Sequence, residues 1–345
     1  MSIEEAEPVQ WQLAEVASPG IAQRVSVVKA EDIPYFPGAN RLQTLNIYLP
    51  RTPRTLELVG TAAERLPAAG PDVAAPRYHV HIHGGAWRDP QLASSSIEPT
   101  VAHAFSGSSP PISAVASLNY RISQFPTHPL LPYDAVQDNH SDPAREATHP
   151  NHVSDVLHGL ALLRSFGLTD RSYILSGHSC GACIAFQAIL QAPLHHGLDL
   201  PDAPCPAALL GLNGLYDLPE LTDGLGASHA HLQQEYRTLL THAFTADKKT
   251  WALASPARFD PADIAQRIRE GKAPRLVVLD QSPQDLLVPM NQKERLEANL
   301  RRVEGIHIVE GHRNSGGHAA PWERGDMIWE SLQDILRLVH SDASR

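Results

Sequence analysis

Short β-branched or apolar runs alternate with longer segments of helical spacing along most of this chain. The short runs, bounded by turn-forming residues, predict strands at 24–29, 44–49, 78–83, 113–118, 172–176, 207–212, 275–280 and 305–309. Apolar residues recurring every three or four positions predict helices at 153–166, 180–192, 261–270, 290–303 and 322–339. Strands separated by helices imply βαβ units, and hence an α/β fold with a mostly parallel central sheet of about eight strands, covered on both faces. The earliest strands precede the alternation and are expected to be antiparallel at one edge.

Three stretches interrupt the pattern. Residues 51–77 are rich in Ala and Pro and read as a surface excursion. Residues 123–151, with five prolines and three histidines, read as a long loop, and 216–260 as an insertion that forms a cap. With no internal repeat and no linker in view, a single domain over 1–345 is expected. A hydrophobic content of 42% in 345 residues is enough for a sizeable core.

Charge narrows the class of partner. A formal net charge of −10, with no clustered Lys and Arg, argues against nucleic acid. The acidic start MSIEEAEPVQ lacks the basic and apolar regions of a secretory signal, and no apolar run approaches the roughly 18 residues of a membrane span. A soluble cytoplasmic protein with no membrane partner is expected. Cys180, Cys183 and Cys205 are too few and too close for a disulfide framework, and the Cys-x-x-Cys has no second pair to complete a zinc site.

The stretch SGHSCGACIAF, 176–186, carries the first chemistry. Glycine weakens strand and helix interiors alike, yet Gly177 and Gly181 stand two positions either side of Ser179 where a strand ends and a helix begins. A sharp strand-to-helix turn explains them, because side chains at those positions would collide with the neighbouring strand and helix. This is the nucleophile-elbow pattern, with Ser179 presented at a helix N-terminus. A serine that merely caps the helix is the plainer alternative.

Upstream, HVHIHGGAWRDP runs from a strand into Gly84 and Gly85. A glycine pair lets backbone N–H groups face a developing anion, and the donors assigned are those of Gly85, Ala86 and Cys180. A serine nucleophile needs a base and an orienting acid from later loops, in the order Ser, Asp, His. After RLVVLD, both Asp280 and Asp285 are available; Asp285 is favoured because it lies in the loop, whereas Asp280 closes the strand. After the last strand, both His312 and His318 are available; His318, between Gly-Gly and the final helix, is favoured. His79, His81 and His83 alternate along one strand face with zinc-like spacing, but no carboxylate-bearing helix completes a metal centre. No metal is expected, and His83 is expected to brace the glycine loop.

Taken together, HGGAW, GHSCGA, LNYR and DLLVP before a late GGH resemble the α/β-hydrolase superfamily, in its hormone-sensitive-lipase-like branch. HIHGGAWRDP, GLNGLYDLPEL and the Ser179, Asp285, His318 spacing are most similar to the kynurenine formamidase (arylformamidase) family, over roughly residues 40–335. Ala86 stands where related esterases more often carry a third glycine. The resemblance implies the α/β-hydrolase fold and cofactor-free hydrolysis of N-formyl-L-kynurenine to L-kynurenine and formate in tryptophan breakdown. The implied partner is that small molecule or a related aryl formamide or ester, with homodimer formation left open. A carboxylesterase or deacylase with the same triad is the alternative, and a non-catalytic binding module is an alternative of another class. Trp87, Tyr120, Tyr216 and Trp322 are candidates to wall the substrate's ring, and Arg88 and Asp217 to hold its charged end.

Overall fold

A computed structural model describes residues 8–67 and 76–343. Nine strands form one sheet: β1 (Gln12–Val16), β2 (Val25–Pro34), β3 (Thr44–Pro50), β4 (Tyr78–Ile82), β5 (Ala114–Leu118), β6 (Tyr173–His178), β7 (Ala208–Leu212), β8 (Leu276–Asp280) and β9 (His307–Glu310). They lie in the order β1-β2-β3-β5-β4-β6-β7-β8-β9. The pairings β1–β2, β2–β3 and β3–β5 are antiparallel, and every later pairing is parallel. The antiparallel edge is therefore where the sequence pattern put it.

Seven helices of eight or more residues are described: α1 (Glu98–Phe105), α2 (Asn151–Ser165), α3 (Cys180–Leu190), α4 (Gln233–Phe244), α5 (Pro261–Arg269), α6 (Asn291–Leu300) and α7 (Asp326–Ala343). Side chains alternate across each strand, so the central strands feed two cores. Leu209, Val277 and Leu279 join Val153, Ile184, Ile264 and Leu296 of α2, α3, α5 and α6 on one face. Leu210, Leu212, Leu276 and Val278 join Val101 and Phe105 of α1 and Ile328 and Ile335 of α7 on the other.

Where the structure departs from expectation, local chemistry explains it. The ninth strand, β1, reads QLAEV and is largely exposed, so it carries little apolar signal; it is held by pairing to β2. β2 runs past 29 to Pro34 through an irregular register at Ala30 and Ile33, where Asp32 has φ of 56°. The helix expected over 322–339 is two, Ala320–Arg324 and α7, broken at Gly325. Gly325 takes φ of 73° and its Cα sits against the backbone of Pro99 and Thr100, leaving no room for a Cβ. The 51–77 excursion contains a short helical turn, Pro53–Leu56; its residues 68–75 lie outside the described residues. No described helix is long and apolar enough to cross a membrane.

The topology brings the chemistry to one edge. Ser179 follows β6, Gly84 and Gly85 follow β4, Asn213 follows β7, Asp285 follows β8 and His318 follows β9. These five strands are consecutive neighbours and parallel. Their carboxyl-end loops therefore converge, as they do at the crevice of open α/β sheets.

Candidate active site

Ser179 occupies the tip of the β6–α3 turn with φ of 56° and ψ of −123°, a strained region for a residue with a Cβ. Its N–H donates to Leu212 O at 2.9 Å, which ties the turn to the end of β7. A Cβ at Gly177 would collide with the backbone of Gly181 and Ala182, and one at Gly181 with the carbonyls of Ile82 and His83. Both glycines are thus required by close backbone approach. Ser179 is 5% exposed and borders a cavity of about 310 Å³.

His318 borders the same cavity, and its Nδ1 lies 2.7 Å from Asp285 Oδ2. The other carboxylate oxygen of Asp285 accepts from the N–H groups of Leu287 and Val288, at 2.8 and 2.9 Å. Burial alone would raise the pKa of Asp285. The hydrogen bond and charge of His318, with the two N–H donors, outweigh it and hold the group below the ordinary carboxylate range. An ionised Asp285 fixes the His318 tautomer with its proton on Nδ1 and leaves Nε2 free to accept one.

The competing residues lie elsewhere. Asp280 is buried and accepts from the N–H of Arg313 and Asn314, at 2.9 and 3.2 Å, and from the Ser331 hydroxyl at 3.3 Å. It therefore anchors the loop after β9. His312 borders a separate cavity beside Ser331 and Asp334.

Two residues beyond the expected set align the loops. Asn213, with φ of 46°, accepts from Ser282 N at 2.9 Å and donates to His318 O at 3.2 Å, so one side chain bridges the β8 and β9 loops. His178 Nε2–H donates to the same His318 carbonyl at 2.8 Å. Burial, followed by the nearby His318, pushes the pKa of His178 down to about 3, so it stays neutral and keeps this donor role. Asn213 has a signal in the sequence, an Asn-Gly directly after an apolar strand, where positive φ is common.

The glycine loop is built by its neighbours. Gly85, Ala86 and Trp87 take φ of 107°, 50° and 58°. Among the described residues, no backbone carbonyl accepts from the N–H of Gly85 or Ala86. Tyr120 Oη lies 3.0 Å from each of two carbonyl oxygens, His83 and Gly84, and His83 stacks on the Tyr120 ring at 4.5 Å. Cys180 Sγ accepts from Trp87 N at 3.2 Å, and burial pushes its thiol up to about 11. The thiol is therefore neutral, and a poor nucleophile beside Ser179.

His79 Nε2 and His81 Nδ1 both meet Ser176 Oγ, at 2.6 and 2.8 Å, inside the core. Among the described residues, no three His, Cys, Asp or Glu side chains are grouped to hold a metal ion.

The aromatic wall differs from expectation. Trp87, Tyr120 and Tyr216 are packed in the core and do not border the cavity, because Trp87 meets Phe244 edge-on, Tyr120 supports the glycine loop and Tyr216 meets Phe186. Trp322 does border it, joined by Phe125 and Tyr236, with Leu215, Leu239 and Val288 completing an apolar lining. Phe125 lies in the long 123–151 loop, where a single aromatic gives no periodic signal, and Tyr236 lies on the apolar face of α4. Arg88 borders the cavity, whereas Asp217 pairs with Arg258 at 2.8 Å and lies outside it.

No family model matches the sequence. A kynurenine formamidase-like hydrolase of Fusarium equiseti is 32% identical over 312 residues, covering 89% of this chain and 94% of that protein. A kynurenine formamidase of Aspergillus versicolor is 28% identical over 268 residues, covering 72% and 84%. Among solved structures, esterase B from Lactobacillus rhamnosis superposes with a TM-score of 0.58 at 15% identity, covering 91% of this chain and 87% of that one. A hormone-sensitive lipase from a metagenome library gives 0.51 at 16% identity, covering 99% and 87%. The structural likenesses establish the α/β-hydrolase fold, and the sequence relatives carry the finer assignment. The chain belongs to the kynurenine formamidase-like family of α/β-hydrolases.

Proposed function

We propose that this hydrolase is a serine enzyme that cleaves the formamide of N-formyl-L-kynurenine to L-kynurenine and formate, with Ser179, His318 and Asp285 as its triad. The observation that carries this reading is the 2.7 Å contact between His318 Nδ1 and Asp285, bordering the same cavity as a serine strained onto the tip of a strand-to-helix turn. His318 Nε2 takes the proton of Ser179 Oγ as the oxygen attacks the formyl carbon. The resulting oxyanion is received by the N–H groups of Gly85, Ala86 and Cys180, each worth roughly 3 kcal/mol to the transition state. His318 then gives its proton to the departing aryl amine, and the C–N bond breaks to leave a formyl-serine. Water, deprotonated by His318, releases formate and restores the serine.

An aryl amine leaves more readily than an alkyl amine, which suits a site of esterase type to this amide. The proposed cap is the 216–260 segment: Glu235, Tyr236 and Leu239 of α4 border the same cavity as Ser179 and help exclude water. The test is kcat/KM for N-formyl-L-kynurenine beside p-nitrophenyl acetate, with Ser179→Ala as blank. A preference for the formamide of about a hundredfold, near 3 kcal/mol of differential transition-state binding, is expected. A preference for the ester would assign the chain to carboxylesterase chemistry instead.

A further inference from the structure

Arg88 is a charged side chain buried to 3% exposure at the cavity wall. A buried guanidinium is costly unless its five N–H groups find acceptors. Here one nitrogen, Nη2, donates to Glu235, while Nε and Nη1 are buried with no acceptor among the described residues. The guanidinium carbon lies 3.8 Å from the centre of the Phe125 ring, so the plane is fixed by stacking. Glu235, on the first turn of α4, is half exposed and borders the same cavity. Among the described residues, Arg88 is the only arginine or lysine that borders the cavity; Tyr236, beside Glu235, has its hydroxyl committed to Leu287 O at 2.6 Å. A cation held rigidly with spare donors, in contact with an accessible carboxylate, matches a ligand that carries an anionic and a cationic group on one carbon.

We infer that Arg88 and Glu235 read the α-amino acid end of the substrate, Arg88 taking the carboxylate and Glu235 the ammonium. The inference rests on the formamidase reading for the identity of the substrate, but the anion preference of Arg88 stands by itself. On binding, the substrate carboxylate supplies the acceptors that Arg88 lacks, and Glu235 stays within reach of both charges. A guanidinium gains more from such a planar acceptor than a lysine would.

Two measurements separate the inference from the reading beneath it. Calorimetry on the Ser179→Ala protein compares 4-oxo-4-phenylbutanoate with the uncharged butyrophenone. The carboxylate is expected to bind at least about thirtyfold more tightly, and Arg88→Gln to remove the difference. Arg88→Lys, which keeps the buried charge should the Gln variant fold poorly, is expected to retain part of it.

Kinetics then compare three aryl formamides: N-formyl-L-kynurenine, its analogue without the amino group, and 2-formamidoacetophenone, which lacks both charges. Arg88→Gln is expected to lower kcat/KM about a hundredfold on the first two, chiefly through KM, and by less than about threefold on the third. Glu235→Gln is expected to cost about tenfold on the first alone. Equal losses on all three, or equal binding of acid and ketone, would overturn the inference. Should the wild type bind the carboxylate selectively yet hydrolyse none of the formamides, the formamidase reading fails and the anion subsite stands.

Discussion

Ser179, Gly177 and Gly181 show how little freedom the site has at the scale of single residues. Because a Cβ at Gly181 would meet two carbonyls at once, Gly181→Ala is expected to destabilise the fold by about 3 kcal/mol or more, read by urea denaturation. A variant of wild-type stability would show that the turn is looser than described. Asp285→Asn is expected to leave the fold intact and lower kcat by about 10⁴, because an amide no longer enforces the His318 tautomer. Asp280→Asn provides the contrast, since Asp280 holds the β9 loop through Arg313 and Asn314; its loss is expected in thermal stability first. Much at this scale was legible in the sequence. The Gly-x-Ser-x-Gly spacing reports a steric need that no regular element shares. A place in the loop rather than at a strand end separates Asp285 from Asp280, and a place between Gly-Gly and the last helices separates His318 from His312, which lies in the same loop. Buried aromatics gave no such distinction: Trp87, Tyr120 and Tyr216 have the composition of a ring-binding wall but face the core.

Elements place these residues, and supporting loops hold them. LNYR after β5 is one brace: Asn119 accepts from Ser94 N at 2.7 Å, Tyr120 reaches the glycine loop, and Arg121 pairs with buried Asp155 at 2.8 Å. Tyr120→Phe removes the hydroxyl that faces both the His83 and Gly84 carbonyls. It is expected to cost about 1–3 kcal/mol of stability. It is also expected to lower kcat about tenfold with little change in KM, because loosened N–H donors no longer meet the oxyanion in place. A fall in KM alone would contradict this. The elements missed by sequence reading have separate causes: β1 is exposed, α1 is only eight residues long, and α4 lies inside the 216–260 stretch, which reads whole as an insertion. α4 does carry apolar positions at helical spacing, Tyr236, Leu239, Leu240, Ala243 and Phe244, which reading the stretch as one insertion passes over.

Across the whole molecule, the balance of histidines sets an acid limit. Burial pushes His79, His149, His152 and His178 down to about 3, and His83 and His196 to about 4. The unfolded chain titrates near the ordinary value of about 6.5. It therefore binds more protons than the folded chain between about pH 6.5 and 3, so stability is full above that window and is lost as pH falls through it. Each histidine costs roughly 2 kcal/mol by pH 5, and six together match the about 5–15 kcal/mol that stabilises a typical domain. The urea midpoint is expected to hold from about pH 8 to about 7 and to fall steadily from about pH 6.5 to 5.5, with unfolding complete near pH 4.5; a flat midpoint would show that these rings are more solvated than their packing implies. The mostly parallel sheet covered on both faces was readable because β7 and β8 are continuous apolar runs, buried along their whole length, set between helical segments; the strand order was not.

In the proposed mechanism Ser179 is a nucleophile activated by His318 and Asp285. A fluorophosphonate probe followed by intact-mass and peptide analysis tests it most directly. One adduct per chain is expected, on the peptide containing Ser179, abolished in Ser179→Ala and slowed by at least about a hundredfold in His318→Gln. Absence of an adduct on the folded protein, or an adduct that survives Ser179→Ala, would contradict it.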